Sequence, residues 1–238
     1  MSERQQVWKL MMFEIRNFKP TQLLKFVLYM GLSLTFLKVV FETPGSMWAL
    51  DFLIIPVSWV LHMGVRRKAF YLSYNKGSLY ATPLQIILRT MPFSINTIIK
   101  ARLFLFLSLN IIVQTILVLI LFTILPATIQ ELTPLPAWII VWNVLTIVIA
   151  CSIVIGEAGA SYSKVYLFVF NVITIILLFA LHWLVQLYLG SGIVSEIYYY
   201  TAYHPVTASV IALIVLVITT LLAFYYMKQY MCKVDYHV

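Results

Sequence analysis

Residues 103–125 read LFLFLSLNIIVQTILVLILFTIL, a run of 23 positions without a charged residue, a glycine or a proline. A helix of that length extends about 35 Å, because each residue adds about 1.5 Å. The hydrocarbon core of a bilayer is about 30 Å thick. The run therefore predicts a transmembrane helix.

Five further apolar stretches flank this one along the chain. They cover residues 21–41, 48–65, 137–155, 165–189 and 208–227. Of the 238 residues, 63% are hydrophobic and 10% are charged, which leaves too few polar groups to cover a water-soluble globule. We expect an all-α integral membrane protein in which residues 21–238 form one domain of six transmembrane helices.

Basic residues predict the orientation of these spans. If the N-terminus is cytoplasmic, the connections on the opposite side contain no lysine or arginine and carry only Glu42, Glu131 and Glu196 as charged residues. Cytoplasmic connections of membrane proteins are enriched in lysine and arginine, so both termini are predicted to be cytoplasmic. The net charge of +8 then reflects topology and attraction to an anionic lipid surface, and we expect no binding to nucleic acid.

Residues 1–20 predict an amphipathic helix that lies in the membrane interface. Apolar side chains recur at helical spacing along one face: Val7, Met11, Ile15 and Phe18. Lys9 and Arg16 lie on the opposite face. Pro20 ends this helix directly before the first span, so the chain turns as an elbow from lying along the membrane to crossing it.

The longest predicted cytoplasmic connection, residues 66–102, carries seven basic residues and no acidic one. The capping sequence Thr-Pro-Leu-Gln at 82–85 predicts a short helix that ends before Pro92. Ser94 can cap a second helix that continues into the third span. We call these two predicted helices, residues 82–102, the cytoplasmic bracket.

Three short motifs in this connection resemble the cytoplasmic loop of type-2 ABC exporter permeases. They are Asn-Lys-Gly-Ser at 75–78, Ile-Leu-Arg-Thr-Met-Pro-Phe-Ser at 87–94 and Ile-Ile-Lys-Ala-Arg at 98–102. Met91 stands where leucine is usual in that family. The resemblance extends to the elbow helix, the six spans and the proline before the last span, Pro205.

This resemblance implies a set of partners. In that family a permease pairs with a second permease chain, as a homodimer or a heterodimer, and with two cytosolic ATPase subunits that bind ATP and Mg²⁺. The short helix of the loop docks in a groove on the ATPase. For this chain the resemblance implies that the following residues couple to the ATPase: Thr82, Leu84, Ile87, Leu88, Arg89 and Met91.

Motifs for other functions are absent from the sequence. Without a Gly-x-x-x-x-Gly-Lys-Ser/Thr motif we expect no nucleotide hydrolysis, no cofactor and no catalytic or metal site in this chain. An intramembrane enzyme is disfavoured because Gly-x-Ser-x-Gly, His-Glu-x-x-His and paired mid-depth acids are missing. A secondary transporter of a hydrophobic solute stays the alternative, although Pro56 interrupts the second span without a counterpart in the fifth.

Polar residues on the fifth span share one face. Four of them fall within an arc of roughly 120° on a helical wheel: Asn171, Thr174, His182 and Gln186. We expect this face to line a translocation path or a seam between subunits. The scarcity of charge favours an amphipathic or hydrophobic cargo, and the resemblance suggests an exported antimicrobial or other amphipathic peptide, a toxin or a drug.

The other polar residues of the spans predict structural contacts. Interhelical hydrogen bonds are expected from four residues of the third and fourth spans: Asn110, Gln114, Asn143 and Thr146. Asp51, the only acid inside a predicted span, is expected to pair with Lys38. The tyrosine-rich connection 190–207 is expected to form a short helix over the outer end of the route.

Overall fold

A computed structural model of the chain describes residues 2–17, 20–43, 47–52, 54–55, 57–58, 73–75, 79–81, 88, 92–125, 133–157 and 162–233. Its main helices are α1 (Glu3–Arg16), α2 (Pro20–Glu42), α3 (Ile95–Ile124), α4 (Leu135–Glu157), α5 (Lys164–Leu189), α6 (Ile193–Tyr203) and α7 (Pro205–Lys233). A 3-10 turn at Met47–Ala49 leads into helical residues at 50–52, 54–55 and 57–58, and together they form the 47–58 segment.

Five helices of the described residues are long and apolar enough to cross a membrane. They are Leu24–Glu42, Ile95–Ile124, Leu135–Gly156, Val172–Leu189 and Pro205–Cys232. These helices coincide with the first, third, fourth, fifth and sixth predicted spans, whereas the second predicted span lies partly outside the described residues. The described residues are mainly helical, with three short strands, and the five apolar helices agree with the predicted multi-pass membrane protein.

Local sequence explains where several helices begin and end. Ser2 forms a capping box at the start of α1. Ser94 and Ser163 each accept a hydrogen bond, at 3.1 Å, from the backbone N–H three residues further on, and so cap α3 and α5. α5 ends at Gly190, whose φ of 72° is accessible to glycine at little cost. The second bracket helix and the third span form one continuous helix, as Ser94 predicted.

Helix α4 lies at the centre of the bundle and packs against α3 and α7. Trp142 and Ile147 of α4 are almost completely buried, together with Leu117 of α3, Leu37 of α2 and Met227 of α7. By contrast, α2, α5 and α7 expose most of their large apolar side chains. In a bilayer such surfaces face lipid or another protein.

Three short strands form an antiparallel sheet in the order β1–β2–β3: β1 (Ser73–Asn75), β2 (Leu79–Ala81) and β3 (Tyr162–Ser163). Tyr80 pairs with Tyr74 on one side and with Tyr162 on the other. The glycine-containing turn predicted at 75–78 follows β1, and residues 76–78 lie outside the described residues. The sheet joins the basic connection to the chain between α4 and α5, a contact that the sequence analysis did not predict.

The tyrosine-rich connection between the last two spans contains α6, which confirms the predicted short helix. α6 ends at Tyr203, and Pro205 then starts α7. Proline suits the first position of a helix because that position needs no intrahelical N–H donor.

Candidate functional site

The predicted path residues on α5 do not converge within the chain. Gln186 is exposed, Thr174 is half-buried and His182 is buried, while the side chain of Asn171 is not among those described. Nearly all the other described side chains of α5 are exposed as well. α5 therefore lies at the periphery of the bundle. Its three described path residues, Thr174, His182 and Gln186, differ in burial and do not form one surface.

His182 faces Asp51 of the 47–58 segment. Its Nδ1 lies 2.9 Å from Asp51 Oδ2, and both side chains are nearly buried. The same carboxylate accepts hydrogen bonds from two backbone N–H groups at the start of α6: Ile193 at 2.7 Å and Val194 at 2.6 Å. Asp51 thus caps α6 from another part of the chain and complements the positive end of its dipole.

The predicted pair between Asp51 and Lys38 is wrong. Lys38 instead lies 3.7 Å from Glu42, one turn further along α2, and both of these side chains are substantially exposed. The sequence analysis considered only charged side chains as partners for Asp51. It missed the N–H groups at the N-terminus of a helix, which have no partner within the helix and form charge-assisted hydrogen bonds to a carboxylate.

Gly192 makes the contact at Asp51 possible. A Cβ atom at this position would lie 2.8 Å from Trp48 Cα and 2.9 Å from Asp51 Oδ2, closer than real Cβ contacts. Aromatic rings surround the pair: the Phe52 ring centroid lies 4.8 Å from that of His182, and the Trp48 centroid lies 5.9 Å away. We call this arrangement of the 47–58 segment, α5 and α6 the Asp51 clamp.

The Asp51 clamp is suited to holding helices together. Its carboxylate accepts two backbone hydrogen bonds from α6 and lies within hydrogen-bond distance of His182 on α5, so both of its oxygens are engaged in contacts between elements. Within the part of the chain that the structure describes, no group of three or more His, Cys, Asp and Glu side chains is placed to hold a metal ion.

Tyr198 fixes α6 at a second point. Its hydroxyl lies 2.5 Å from Thr133 Oγ1, and its ring packs edge-on against Phe41 and Trp138 at centroid distances of 5.6 and 5.1 Å. Burial raises the pKa of the Tyr198 phenol above its ordinary value, against the opposing effect of the Thr133 hydrogen bond. Tyr198 is therefore a neutral core residue, whereas Tyr199, Tyr200 and Tyr203 are exposed.

Hydrogen bonds between α3 and α4 confirm the structural interpretation of their polar residues. Four hydrogen bonds join these helices to each other or to the 47–58 segment: Asn110 to Thr146 at 3.0 Å, Trp142 to Gln114 at 3.0 Å, Asn143 to Thr115 at 3.1 Å and Gln114 to the Val57 carbonyl at 3.3 Å. Gln114 thus links α3 to both α4 and the 47–58 segment. Its side chain is buried, so it cannot contact a cargo from that position.

At the other end of the molecule α1 packs against the first turns of α3. Glu3 Oε1 lies 2.9 Å from Lys100 Nζ. Glu14 and Arg102 are both buried and line the same small cavity with Leu10. The start of α3 is therefore held by α1 as well as by its own cap.

The predicted apolar face of α1 divides between two surroundings. Val7 and Met11 are half-buried, whereas Ile15 is exposed, as is Trp8, the residue after Val7. Phe18 lies outside the described residues. Trp8 and Ile15 therefore form an exposed apolar strip beside the face of α1 that packs against protein.

Leu88 of the predicted coupling set is a core residue. It is 6% exposed and belongs to an apolar cluster with Ile98 and Ile99 of α3 and Met227 of α7. A side chain buried in this way is not available to a partner. The other five residues of the set lie outside the described residues: Thr82, Leu84, Ile87, Arg89 and Met91.

These features indicate a mainly helical, multi-pass membrane protein in which α1 packs against the start of α3 and α6 packs against α4, α7 and the 47–58 segment. No family model, no curated protein and no solved structure matches the chain.

Proposed function

We propose that this chain is the membrane-spanning permease of an ATP-driven type-2 ABC exporter. It acts in the cell membrane with both termini in the cytoplasm, and two separate ATPase subunits bind ATP and Mg²⁺. Its cargo is amphipathic or hydrophobic, such as an antimicrobial or other amphipathic peptide, a toxin or a drug. A second permease chain, identical or related, completes the translocation path.

The observation that carries this proposal is the length and anchoring of α3. Its 30 residues extend about 45 Å, which exceeds the hydrocarbon core by roughly 15 Å. The projecting end contains Lys100 and Arg102 and packs against α1, with which it forms the Glu3–Lys100 ion pair. Glu14 of α1 and Arg102 are both buried there. A displacement of the basic connection would be transmitted along this continuous helix to the core beside α4.

The exposure of α5 supports a second permease chain. This helix has little packing within its own chain, yet it carries Gln186 on its surface. A polar side chain facing lipid is costly, and one at an interface between subunits finds partners. In this proposal the seam along α5 belongs to the route that the cargo takes.

A charge reversal on the predicted coupling helix tests the ATPase contact. Co-expression with the candidate ABC ATPase from the same gene neighbourhood, followed by purification of the permease, measures the ATPase retained. In this proposal Arg89 pairs with an acidic residue at the rim of the ATPase groove. Arg89→Glu then places a like charge there and should reduce retention about tenfold or more. Lys76→Glu makes the same charge change elsewhere in the loop and should leave retention unchanged.

Equal retention by wild type, Arg89→Glu and Lys76→Glu would contradict the coupling role of residues 82–91. Leu88 is unsuitable for this test because a polar replacement would disrupt the core. Transport by the purified permease alone in proteoliposomes, driven by a proton gradient, would instead favour the secondary transporter.

A further inference from the structure

A cleft of about 510 Å³ lies between α4, α6 and α7, at the end of the bundle that α6 covers. Its aliphatic wall comes from α4 and α7, with these residues among others: Val141, Val144, Ala208, Ile211 and Val215. α6 adds Glu196 and Tyr200. The volume lies within the range of about 300–1,000 Å³ that is typical of sites for small organic molecules.

Glu196 gives this apolar cleft a single negative charge. Its Oε1 accepts a hydrogen bond from Ser191 Oγ, and among the described residues the carboxylate has no lysine or arginine partner. Connections 42–47, 126–136 and 190–207 contain no lysine or arginine, and Lys38, one turn before the first of them, lies beside Glu42. The charge of Glu196 is thus left for a ligand to balance.

Tyr200 lies one turn beyond Glu196 on α6 and lines the same cleft. Its ring is partly exposed, and its centroid lies 5.2 Å from that of His204. An aromatic ring attracts organic cations through its electron-rich face, and a carboxylate adds charge complementarity. The cleft therefore combines a carboxylate and an aromatic ring with an extended aliphatic wall.

We propose that the α4–α6–α7 cleft binds a lipophilic organic cation. The apolar body of the ligand packs against the aliphatic wall, and its positive charge lies beside Glu196 and Tyr200. A neutral acyl chain could pack against the aliphatic wall, but it would leave the half-buried Glu196 carboxylate without a counter-charge, which is unfavourable. This inference does not rest on the exporter proposal, because binding requires neither an ATPase nor a second permease.

Tetraphenylphosphonium and tetraphenylborate provide a matched pair of probes, because the two ions have nearly the same size and opposite charge. Equilibrium binding to the purified full-length chain in phosphatidylcholine nanodiscs is measured against protein-free nanodiscs. We expect saturable binding of tetraphenylphosphonium and none of tetraphenylborate.

Variants locate the binding site. Glu196→Gln should weaken tetraphenylphosphonium binding about tenfold, which corresponds to about 1.4 kcal/mol. Glu42→Gln removes another acid from the same end of the protein and should leave the dissociation constant unchanged. Ile211→Trp, at an exposed position of the cleft, should abolish binding by filling it, whereas Leu213→Trp, equally exposed on α7 but outside the cleft, should not.

Three results would overturn the proposal. The first is equal binding of the two probes, because charge would then play no part. The second is an unchanged dissociation constant for Glu196→Gln or Ile211→Trp when their melting temperatures match that of the wild type. The third is the absence of saturable phosphonium binding, combined with a phospholipid that native mass spectrometry detects on the wild type and not on Glu196→Gln. That combination would identify a lipid as the occupant of the cleft.

Discussion

Asp51 joins three parts of the chain through a single carboxylate, and this makes it the most consequential polar residue of the described bundle. Replacement by asparagine keeps the shape of the side chain but removes its charge and one acceptor. Asp51→Asn should lower the free energy of unfolding by about 2–3 kcal/mol, since hydrogen bonds to charged groups contribute about 1.5–3 kcal/mol. Denaturant unfolding of the purified chain in mild detergent measures the change.

Glu42→Gln is the control for this prediction. It removes a carboxylate from the same end of the protein, but the pair with Lys38 is exposed and should contribute less than about 1 kcal/mol. Similar losses from the two substitutions would show that Asp51 contributes no more than a surface charge.

At the scale of the element, substitutions of two glutamines on different helices distinguish a role in helix packing from a role in transport. Gln114 of α3 is buried between α4 and the 47–58 segment, whereas Gln186 lies on the exposed surface of α5. We expect Gln114→Leu to lower the free energy of unfolding by about 1–2 kcal/mol with unchanged transport per folded molecule. Gln186→Leu should reduce cargo export while the melting temperature stays the same.

The two substitutions are chemically identical, so they control for each other. Melting temperature and export by the folded fraction are measured for both variants. A lower melting temperature for Gln186→Leu, combined with normal export, would mean that the polar face of α5 serves packing alone.

At the scale of the whole molecule, α5 and α7 both expose apolar surface, but only α5 is proposed to meet a second permease. A photoreactive benzoylphenylalanine at Ile176 of α5 or at Val217 of α7 distinguishes a protein neighbour from lipid, because both positions are more than half exposed. Illumination of membranes should yield a crosslinked species of roughly twice 27.4 kDa from position 176 and not from position 217. No such species from position 176, or equal yields from both positions, would argue against a seam along α5.

Apolar runs were enough to predict five of the six spans where the structure has long apolar helices, because each run is about as long as the bilayer core is thick, or longer. Capping residues were also informative, because Ser94 predicted the start of α3 and its continuation into the third span. The amides of the third and fourth spans predicted interhelical hydrogen bonds, since a polar side chain at membrane depth is costly without a partner. Each of these predictions was made from a short stretch of sequence.

Contacts between distant residues could not be predicted in this way. Asp51 pairs with groups more than 130 positions away in sequence, and its partners include backbone N–H groups, which every residue type except proline supplies. The burial of Leu88 and the attachment of β3 likewise depend on which helices pack side by side. Hydropathy specifies that a helix enters the membrane, but it is nearly the same on every face of such a helix. The neighbours of each face are therefore selected by side-chain shape and by a few polar contacts, which exist only once the bundle has assembled.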